Sequence, residues 1–466
     1  MARAMKDSGI PWIGEIPLSW EIAKVSRFFE IQLGKMLQPM KMGESDTLEK
    51  YLCAANLGGN KLKLDELKEM WISDAEKSKF LVRKGDLLVV EGGDIASSDV
   101  LSQEVTGLYI QNALHRVRSY ANFDVRFLRY YLIVAKARGY IDLICNKATI
   151  AHFTKEKFGT MPYVVAPVDE QELIADFLDT ECARIDAVME QTRVSIEEYK
   201  KLKQSIITEA VTKGIRPNRP MKDSGIDWIG QIPADWNVQR IKTIFGLRDE
   251  RNYLPLDEVN LISLYTDQGV VQHADLEQTT GNKASNAEGY KKVYPGDIVV
   301  NIILCWMGAI GRSEYEGVTS PAYDVYIPTD TIDSRFYHHY FRTAGFSGDC
   351  YKRGKGIMAM RWRTYSDQFR DIPVAVPSIE EQHEILHYLD GKTKAIDTLV
   401  EKKKTFLSEM DTYKKSLIFE YVTGKKEALI CLKQFNSEEN GGCSMIPSGM
   451  TEHCMLKQKK DICSLK

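Results

Sequence analysis

Three short stretches carry residue types that could do chemistry. HEILH at His383–His387 matches the HExxH pattern, in which two histidines one helical turn apart bind zinc and the glutamate is a base. GKT at Gly391–Thr393 resembles the end of a phosphate-binding loop, yet Leu386 stands where the leading glycine is required. GAIG at 308–311 lacks the GxGxxG spacing of a dinucleotide fold. Zinc-dependent hydrolysis is therefore the one reaction that these stretches leave open.

The elements that would position such groups occur twice in the chain. MKDSGIPWIGEIPLSW at 5–20 recurs as MKDSGIDWIGQIPADW at 221–236, and twelve of sixteen letters agree. VRKGDLLVV at 82–90 similarly matches VYPGDIVVN at 293–301, at an offset of 211. Each half has a shared opening, a variable middle and a shared exit. This pattern predicts two homologous domains, because the period is too long for a solenoid unit.

The repeat weakens the zinc interpretation. The positions of the first half that align with the HExxH residues are Glu172, Leu173 and Asp176, which could not form that site. No third ligand motif follows His387. A zinc hydrolase using His383, Glu384 and His387 is therefore kept only as an alternative, against a chance match on a helix surface.

Each shared exit predicts a long helix, at 170–211 and at 381–422. The first contains no proline or glycine, and apolar residues recur in both at helical spacing. So narrow a stripe is typical of a coiled-coil seam, and each helix would be about 60 Å long. The alternative is a helix packed on its own domain. The predicted seam comprises Ile174, Leu178, Ile185, Val188, Ile196, Leu202, Ile385, Leu389, Ile396, Leu399 and Leu407.

The middles predict a mixed α/β structure. GDLLVV and GDIVVN indicate strands after a Gly-Asp turn, as do ALHRVRSY and AYDVYIP by their alternation. VRFLRYYLIVAKARGY and SRFYHHYFRTAGF indicate helices. The opening segments hold Trp12, Trp20 and other apolar residues around glycine and proline turns. We expect them to be structural clamps where a domain meets the helices.

Bulk composition bounds the class of protein. The 466 residues are too many for one ordinary core, and nine cysteines without a CxxC pair favour a reducing cytoplasm. No apolar run is long enough for a membrane span, and no signal peptide is indicated. The net charge of −3 gives no global sign of nucleic-acid binding. Any such claim depends on local charge.

Local charge separates the middles from the helices. Residues 111–157 hold nine Lys and Arg against three acids, and residues 342–370 hold seven against two. Residues 170–200 reverse the balance, with nine acids against three bases. Basic side chains bind phosphates, and Arg and Asn can also bind base edges. The alternative is a solvated basic face, but the pattern occurs in the divergent middles of both repeats.

The local charge predicts DNA contacts in both middles. KRGKGIMAMRWR at 352–363 predicts an exposed basic loop. The candidate DNA-binding residues are Asn112, His115, Arg116, Arg118, Lys147, His152, Lys155, Asn301, Arg312, Tyr323, Lys352, Arg353, Lys355, Arg361 and Arg363.

At this point the chain resembles a known family, the specificity subunits of type I restriction–modification systems. The resemblance lies in the doubled MKDSGI openings, the Gly-Asp strands at Gly85 and Gly296, and the exits PVDEQELIADFLD and PSIEEQHEILHYLD. It covers about residues 5–425. It implies an α+β fold, in which two homologous mixed α/β target recognition domains are separated by two long antiparallel helices that form a coiled coil, with pseudo-two-fold symmetry.

The resemblance also implies boundaries and partners. The recognition domains would span 1–157 and 217–368, and the helical spacers 158–216 and 369–425. Residues 426–466 depart from the family pattern, and their lack of periodicity predicts a mostly disordered extension. Each domain would read half of a split site in double-stranded DNA. The helices would set the spacing and dock two modification (methyltransferase) subunits, through which restriction subunits join. S-adenosylmethionine, ATP and magnesium would belong to those partners, so this chain would be non-catalytic, without a metal or cofactor. The remaining alternative is a coiled-coil scaffold that does not bind DNA.

Overall fold

The structure is a computed structural model that describes residues 3–120, 122–145, 151–266, 268–272, 286–356 and 362–428. The described residues form two compact units. Unit 1 comprises those up to Thr192 and those from Lys404 onward, and unit 2 comprises those from Arg193 to Lys403. The predicted extension lies outside the described residues from 429 on. The segment boundaries predicted from the sequence remain a prediction, since the compact units divide each long helix near its middle.

Unit 1 contains a four-stranded antiparallel sheet with strand order β10-β9-β12-β4. Its strands are β4 (Phe29–Leu33), β9 (Leu87–Val90), β10 (Ser98–Val100) and β12 (Leu114–Ser119). All four residues of β9 are buried, as the run LLVV after the Gly-Asp turn predicted. Helix α2 (Val125–Ala137) packs on this sheet and confirms the predicted helix.

A second sheet of unit 1 has the order β11-β5-β8, with β11 parallel to β5 and β5 antiparallel to β8. The core around Met70, Leu88 and Leu108 lies against it. The remaining elements of the first half are β1 (Met5–Asp7), β2 (Glu15–Pro17), β3 (Glu21–Lys24), β5 (Thr47–Leu52), β6 (Leu57–Gly58), β7 (Lys61–Leu62), β8 (Lys68–Ile72), β11 (Leu108–Ile110), β13 (Pro162–Val165), α1 (Asp74–Phe80), α3 (Tyr140–Ile144) and α4 (Lys155–Thr160).

Unit 2 repeats the four-stranded sheet in the same order, β22-β21-β24-β17, again antiparallel. Its strands are β17 (Phe245–Arg248), β21 (Ile298–Asn301), β22 (Ile310–Arg312) and β24 (Tyr323–Pro328). Helix α7 (Ser334–Phe341) takes the place of α2, and its apolar face is buried. The other elements are β14 (Met221–Asp223), β15 (Gln231–Pro233), β16 (Asn237–Arg240), β18 (Ile262–Tyr265), β19 (Gly269–Gln272), β20 (Lys291–Val293), β23 (Gly317–Thr319), β25 (Pro373–Val376), α6 (Ile241–Ile244), α8 (Ala344–Arg353) and α9 (Ser366–Arg370).

Two long helices follow the two domains. They are α5 (Val168–Lys213) and α10 (Ile379–Val422). In unit 1, Phe177 packs on Tyr421 with ring centroids 4.5 Å apart, and Lys414 binds Asp186 at 2.6 Å. In unit 2, Lys203 binds Asp397 at 2.7 Å. In each unit, residue numbers rise along one helix as they fall along the other, so the helix segments pair antiparallel, as predicted.

Seven of the eleven residues of the predicted seam are buried, and their role as a seam remains a prediction. Buried members are Ile174, Leu178, Ile185, Ile196, Ile385, Leu389 and Ile396. Val188, Leu399 and Leu407 are half-buried, while Leu202 is exposed and departs from the prediction. Alternating steps of three and four residues lead from Ile196 and Tyr199 to position 203 rather than 202. Lys203 occupies that position, and its ammonium group binds Asp397 of the neighbouring helix segment.

Each opening segment clamps the start of one long helix to its domain, as expected. In unit 1 the Trp20 indole donates to Glu170 Oε2 at 2.9 Å, and Arg3 binds the same carboxylate. The buried Gln171 accepts from the Asp124 backbone N–H at 3.3 Å, at the start of α2. We call these contacts the latch. Since Glu170 and Gln171 are adjacent on one helical turn, the latch fixes both the opening segment and α2 to α5.

Unit 2 repeats the latch at the equivalent positions. Trp236 donates to Glu381 Oε2 at 3.0 Å, and Arg219 binds the same carboxylate. Gln382 accepts from the Asp333 backbone N–H at 2.8 Å. The four-stranded sheet and the latch, which we call the repeated frame, therefore occur in both units, and the latch includes the same Trp-to-Glu and backbone-to-Gln hydrogen bonds.

Candidate nucleic-acid interface

The Gly-Asp turns shared by the two halves are structural. Gly85 and Gly296 have positive φ values of 90° and 97°, which favour glycine. Asp86 forms two bonds of 2.6 and 2.7 Å with the Arg118 guanidinium, and this pairing raises the pKa of Arg118. In unit 2 the corresponding Asp297 binds Arg248 instead, at 2.8 and 3.0 Å. In each unit the motif therefore ties the turn before one strand to an arginine on another strand of the same sheet.

Two candidates on β12 are buried inside unit 1, so their prediction as DNA contacts is corrected. His115 is fully buried, its Nε2 lies 2.7 Å from the Phe153 carbonyl, and burial lowers its pKa. Arg116 is 3% exposed and donates to the carbonyls of Lys79 and Leu81 at 2.9 Å. Neither can reach a ligand from these positions.

Most other cations of the first middle bind acids of their own unit. Besides Arg118, these are Arg126, which contacts Asp124, Asp176 and Asp179, Arg129, which pairs with Asp99, and Lys136, which pairs with Asp94. The basic balance of residues 111–157 is therefore largely neutralised by carboxylates elsewhere in the unit. Arg118 is corrected from a DNA contact to a structural residue.

Three candidates of unit 1 keep accessible polar groups. Asn112 is half-buried on the turn before β12. His152 is exposed, with Nδ1 2.9 Å from a Glu91 carboxylate oxygen, and Lys155 is exposed at the start of α4. They remain predictions. Lys147 lies outside the described residues.

In unit 2, three candidates line the four-stranded sheet. Asn301 is buried and its side-chain oxygen accepts from the Ile303 backbone at 2.9 Å, so it is corrected to a turn-forming residue. Arg312 is half-buried and donates to Ser334 Oγ at 3.0 Å. Tyr323 is half-buried, and burial raises its pKa. Arg312 and Tyr323 remain predictions.

The predicted basic loop starts where α8 ends. We call residues 352–363 the basic arm; Arg361 and its neighbours 357–360 lie outside the described residues. Lys352, Arg353 and Lys355 are exposed, and Arg363 is half-buried. The Lys355 backbone N–H donates to the Arg363 carbonyl at 2.8 Å, and the reverse bond measures 3.0 Å. Lys352 also pairs with Asp227 at 3.2 Å. The two hydrogen bonds between Lys355 and Arg363 therefore join the described ends of the arm as one antiparallel bridge.

Stacked aromatic side chains support this arm, which was not predicted from the sequence. Tyr351 stacks on Trp362 with centroids 4.9 Å apart and an interplanar angle of 21°. Trp306 packs on Tyr351 at 5.6 Å. Gly354 is required here because a Cβ would lie 2.3 Å from the Trp362 indole nitrogen. The interleaving of Tyr, Trp and basic residues around 351–363 was the available signal.

The HExxH residues are spread over separate contacts in unit 2. Glu384 binds Arg216 at 2.8 Å, and His383 Nε2 lies 3.3 Å from Asp333. Across the described ranges, no three His, Cys, Asp or Glu side chains are grouped to hold a metal. Nor is any helix in those ranges both long and apolar enough to cross a membrane.

Comparison with known proteins gives relatives of one kind. No protein-family model matches the chain. The MjaVIII specificity subunit of a type I restriction enzyme from Methanocaldococcus jannaschii is 22% identical over 428 residues, 88% of this chain and 93% of the relative. The EcoDI specificity subunit from Escherichia coli is 22% identical over 308 residues, 60% of this chain and 66% of the relative.

A solved structure supports the fold. A chain from a type I R-M system superposes with a TM-score of 0.63 at 11% identity, covering 87% of this chain and 98% of the other. The relatives are named as specificity subunits, which agrees with the expectation of a non-catalytic chain. In sequence along nearly its whole length, and in fold, this chain therefore resembles the specificity subunits of type I restriction enzymes.

Proposed function

We propose that this chain is the DNA-sequence-specificity subunit of a type I restriction–modification complex, in which each unit reads one half of a bipartite site. The observation that carries the proposal is a repeated frame with unlike surfaces. The sheet order and the latch recur in both units. The surface residues differ between the units. In unit 2 stacked aromatic rings support the basic arm, whereas in the corresponding middle of unit 1 most cations bind carboxylates of their own unit.

Such an arrangement suits a split, asymmetric recognition site. A repeated frame presents two domains to DNA in the same manner, and unlike surfaces allow the two half-sites to differ. Exposed cations would bind phosphates and fix the register, while polar and apolar side chains would read base edges. The family resemblance supports this role, since the relatives are named for specificity.

The long helices would set the spacing between half-sites and dock two modification subunits. Glu172, Glu197 and Glu198 are exposed acids on α5, and they offer a polar face to a docking partner. Restriction subunits would join through the modification subunits. S-adenosylmethionine, ATP and magnesium would be bound by those partners, and the isolated chain should have no methyltransferase, nuclease or ATPase activity.

Methylome sequencing tests the proposal. Cells that lack other methyltransferases would express the chain with its modification subunit, and a control culture would express the modification subunit alone. We expect a new methylated motif with two specified parts and an unspecified gap, present only with the chain. A coiled-coil scaffold without DNA-binding activity would produce no motif that depends on this chain, and that result would contradict the proposal.

A further inference from the structure

An exposed apolar surface lies beside the basic arm in unit 2. Leu304, Met307 and Tyr351 are 37%, 52% and 48% exposed, and we call these three residues the apolar ledge. Leu304 and Met307 flank a 3-10 turn that packs against α8. Gly308 ends this turn at a φ of 87°. A large apolar patch that remains exposed on a folded domain often marks a binding surface.

The ledge is held rigidly. The Trp306 indole donates to the Ile303 carbonyl at 2.9 Å and packs on the Tyr351 ring. Below the turn, Cys305 is fully buried. Because the backbone of the turn is already fixed, binding there would cost little backbone entropy, which suits recognition.

The ledge and the arm form one continuous surface. Tyr351 belongs to both, because it stacks on Trp362 of the arm. The Thr364 backbone N–H, just after the arm, donates to the Ile302 carbonyl at 2.9 Å, just before the ledge. These two contacts join the ledge to the described ends of the arm.

The charges beside the ledge favour DNA as its ligand. In the part of the chain that the structure describes, no ion pair involves Arg353 or Lys355, so both cations are available for phosphates. The major groove presents one apolar group among its base edges, the 5-methyl group of thymine. Given the proposed function, we propose that the apolar ledge reads thymine methyl groups in the half-site bound by unit 2, while Arg353 and Lys355 bind the adjacent backbone.

Deoxyuridine substitution tests this inference directly, because it removes the methyl group and leaves every base-pair hydrogen bond. The probes are duplexes carrying the motif from the methylome experiment, with uracil replacing the thymines of one half-site at a time. The protein is the full chain with its modification subunits. Burial of one methyl group contributes roughly a factor of four in affinity. We expect binding to weaken about three- to fivefold per contacted thymine in one half-site.

Paired variants connect the effect to the ledge. The double variant Leu304→Ala, Met307→Ala should bind the thymine duplex about as weakly as the wild type binds the uracil duplex, and should no longer distinguish the two. The matched control is Leu247→Ala on β17, since Leu247 is also 37% exposed. This control should keep the full thymine preference.

Three outcomes overturn the inference while leaving the proposed function intact. These are equal binding of thymine and uracil duplexes by the wild type, a thymine preference that survives in the ledge variant, and a motif without an A·T pair in either half-site. A ledge variant that loses its modification subunits but keeps its DNA discrimination would show that the ledge is a protein-docking surface. Absence of any sequence-selective binding would instead contradict the proposed function itself.

Discussion

The Trp20 indole nitrogen lies 2.9 Å from a carboxylate oxygen of Glu170, and the tryptophan that donates this hydrogen bond is completely buried. The bond connects the opening segment of the chain with a helix that starts about 150 residues later. A hydrogen bond to a charged acceptor contributes more than a bond between neutral groups, and without Trp20 the Glu170 carboxylate would keep only Arg3 of its two latch partners.

Trp20→Phe should therefore destabilise unit 1 by about 1.5–3 kcal/mol. The matched control is Trp12→Phe in the same segment, because the buried Trp12 indole nitrogen has no partner in the described part of the chain. Both changes replace an indole by a phenyl ring, but only Trp20→Phe also removes a hydrogen bond, so Trp20→Phe should cost more stability. Denaturant unfolding followed by circular dichroism measures it. Equal losses in the two variants would show that the latch adds no stability.

A second prediction concerns Gly424, which follows α10. Its φ is 68°, and a Cβ there would lie 2.5 Å from Pro17 and 2.9 Å from Trp20. Gly424→Ala should destabilise the protein by about 1–3 kcal/mol through backbone strain and the clash. Gly391 lies inside α10 with open space around its Cβ position, so Gly391→Ala should instead stabilise by about 0.5–1 kcal/mol. Opposite shifts in melting temperature are expected, and shifts of the same sign would contradict this account.

Unit 2 should lose stability in mild acid. Burial lowers the pKa of His338 to about 3, and the nearby His339, Arg342 and Arg312 act in the same direction. The unfolded histidine binds a proton below about pH 6.5, while the folded one remains neutral, so stability falls as the pH decreases from 7 towards 3. At pH 5 the loss from this residue is about 2 kcal/mol at most.

His338→Asn tests this pH dependence. Asparagine can keep the acceptor that His338 Nδ1 provides to the Arg312 backbone N–H, at 3.1 Å. The variant should show a shallower loss of stability between pH 7 and pH 5 in denaturant titrations. An unchanged slope would mean that the buried imidazole does not control acid sensitivity.

The basic arm should bind DNA through phosphates. Arg353→Ala with Lys355→Ala should weaken binding and reduce the slope of log K against log salt by up to about 2, since each lost phosphate contact accounts for about 0.9. Arg240→Ala with Lys242→Ala removes the same residue types from a site where both bind Asp371, and it should leave the slope unchanged. Filter binding at several salt concentrations measures this slope for the wild type, the arm variant and the control variant. A wild-type slope in the arm variant would exclude phosphate contacts there.

The long helices should act as a ruler for the unspecified gap. Each unit pairs its own segments of α5 and α10, so seven residues inserted both after Thr192 and after Lys403 preserve both sets of contacts and the heptad register. Seven helical residues add about 10 Å, which corresponds to about three base pairs of B-DNA. The methylome of this variant should show the same two half-sites with a longer gap.

The control for the ruler is an insertion of seven residues after Thr192 alone. It lengthens one helix without its neighbour, so the opposing residues no longer match, and we expect weaker methylation without a clean change of gap. If the doubly extended variant instead kept its gap and altered a half-site sequence, the helices would have no role in spacing.

The repeat, the fold class and most elements could be predicted from the sequence because they depend on local spacing. The run LLVV gave β9, and the helix predicted at 125 begins at Val125. The latch could not be derived, although its Glu-Gln pair was visible in both halves, because its partners lie far away in the chain. Trp20 and Glu170 show this separation.

Charge composition was the weakest guide to the interface. Arg116 and Arg118 counted as DNA contacts in the sequence, yet Arg116 pairs with Glu30 on β4 and Arg118 with Asp86 on the turn before β9. Local counting cannot detect such pairs, since strand register decides which side chains meet. The arm residues Arg353 and Lys355 were predicted better because the surrounding glycines indicate a loop, and loops lie at the surface.

The pairing of β3 with β13, and of β16 with β25, has a consequence for how these domains can change. In each unit the strand that leads into the domain lies antiparallel to the strand that leads out of it. The chain therefore leaves and rejoins the helical frame at neighbouring points, as at the stem of a hairpin. Residues between the two strands can be lengthened, shortened or replaced without displacing the helix that follows. Changes in the variable middle of each domain are therefore mechanically separated from changes in the helices that follow.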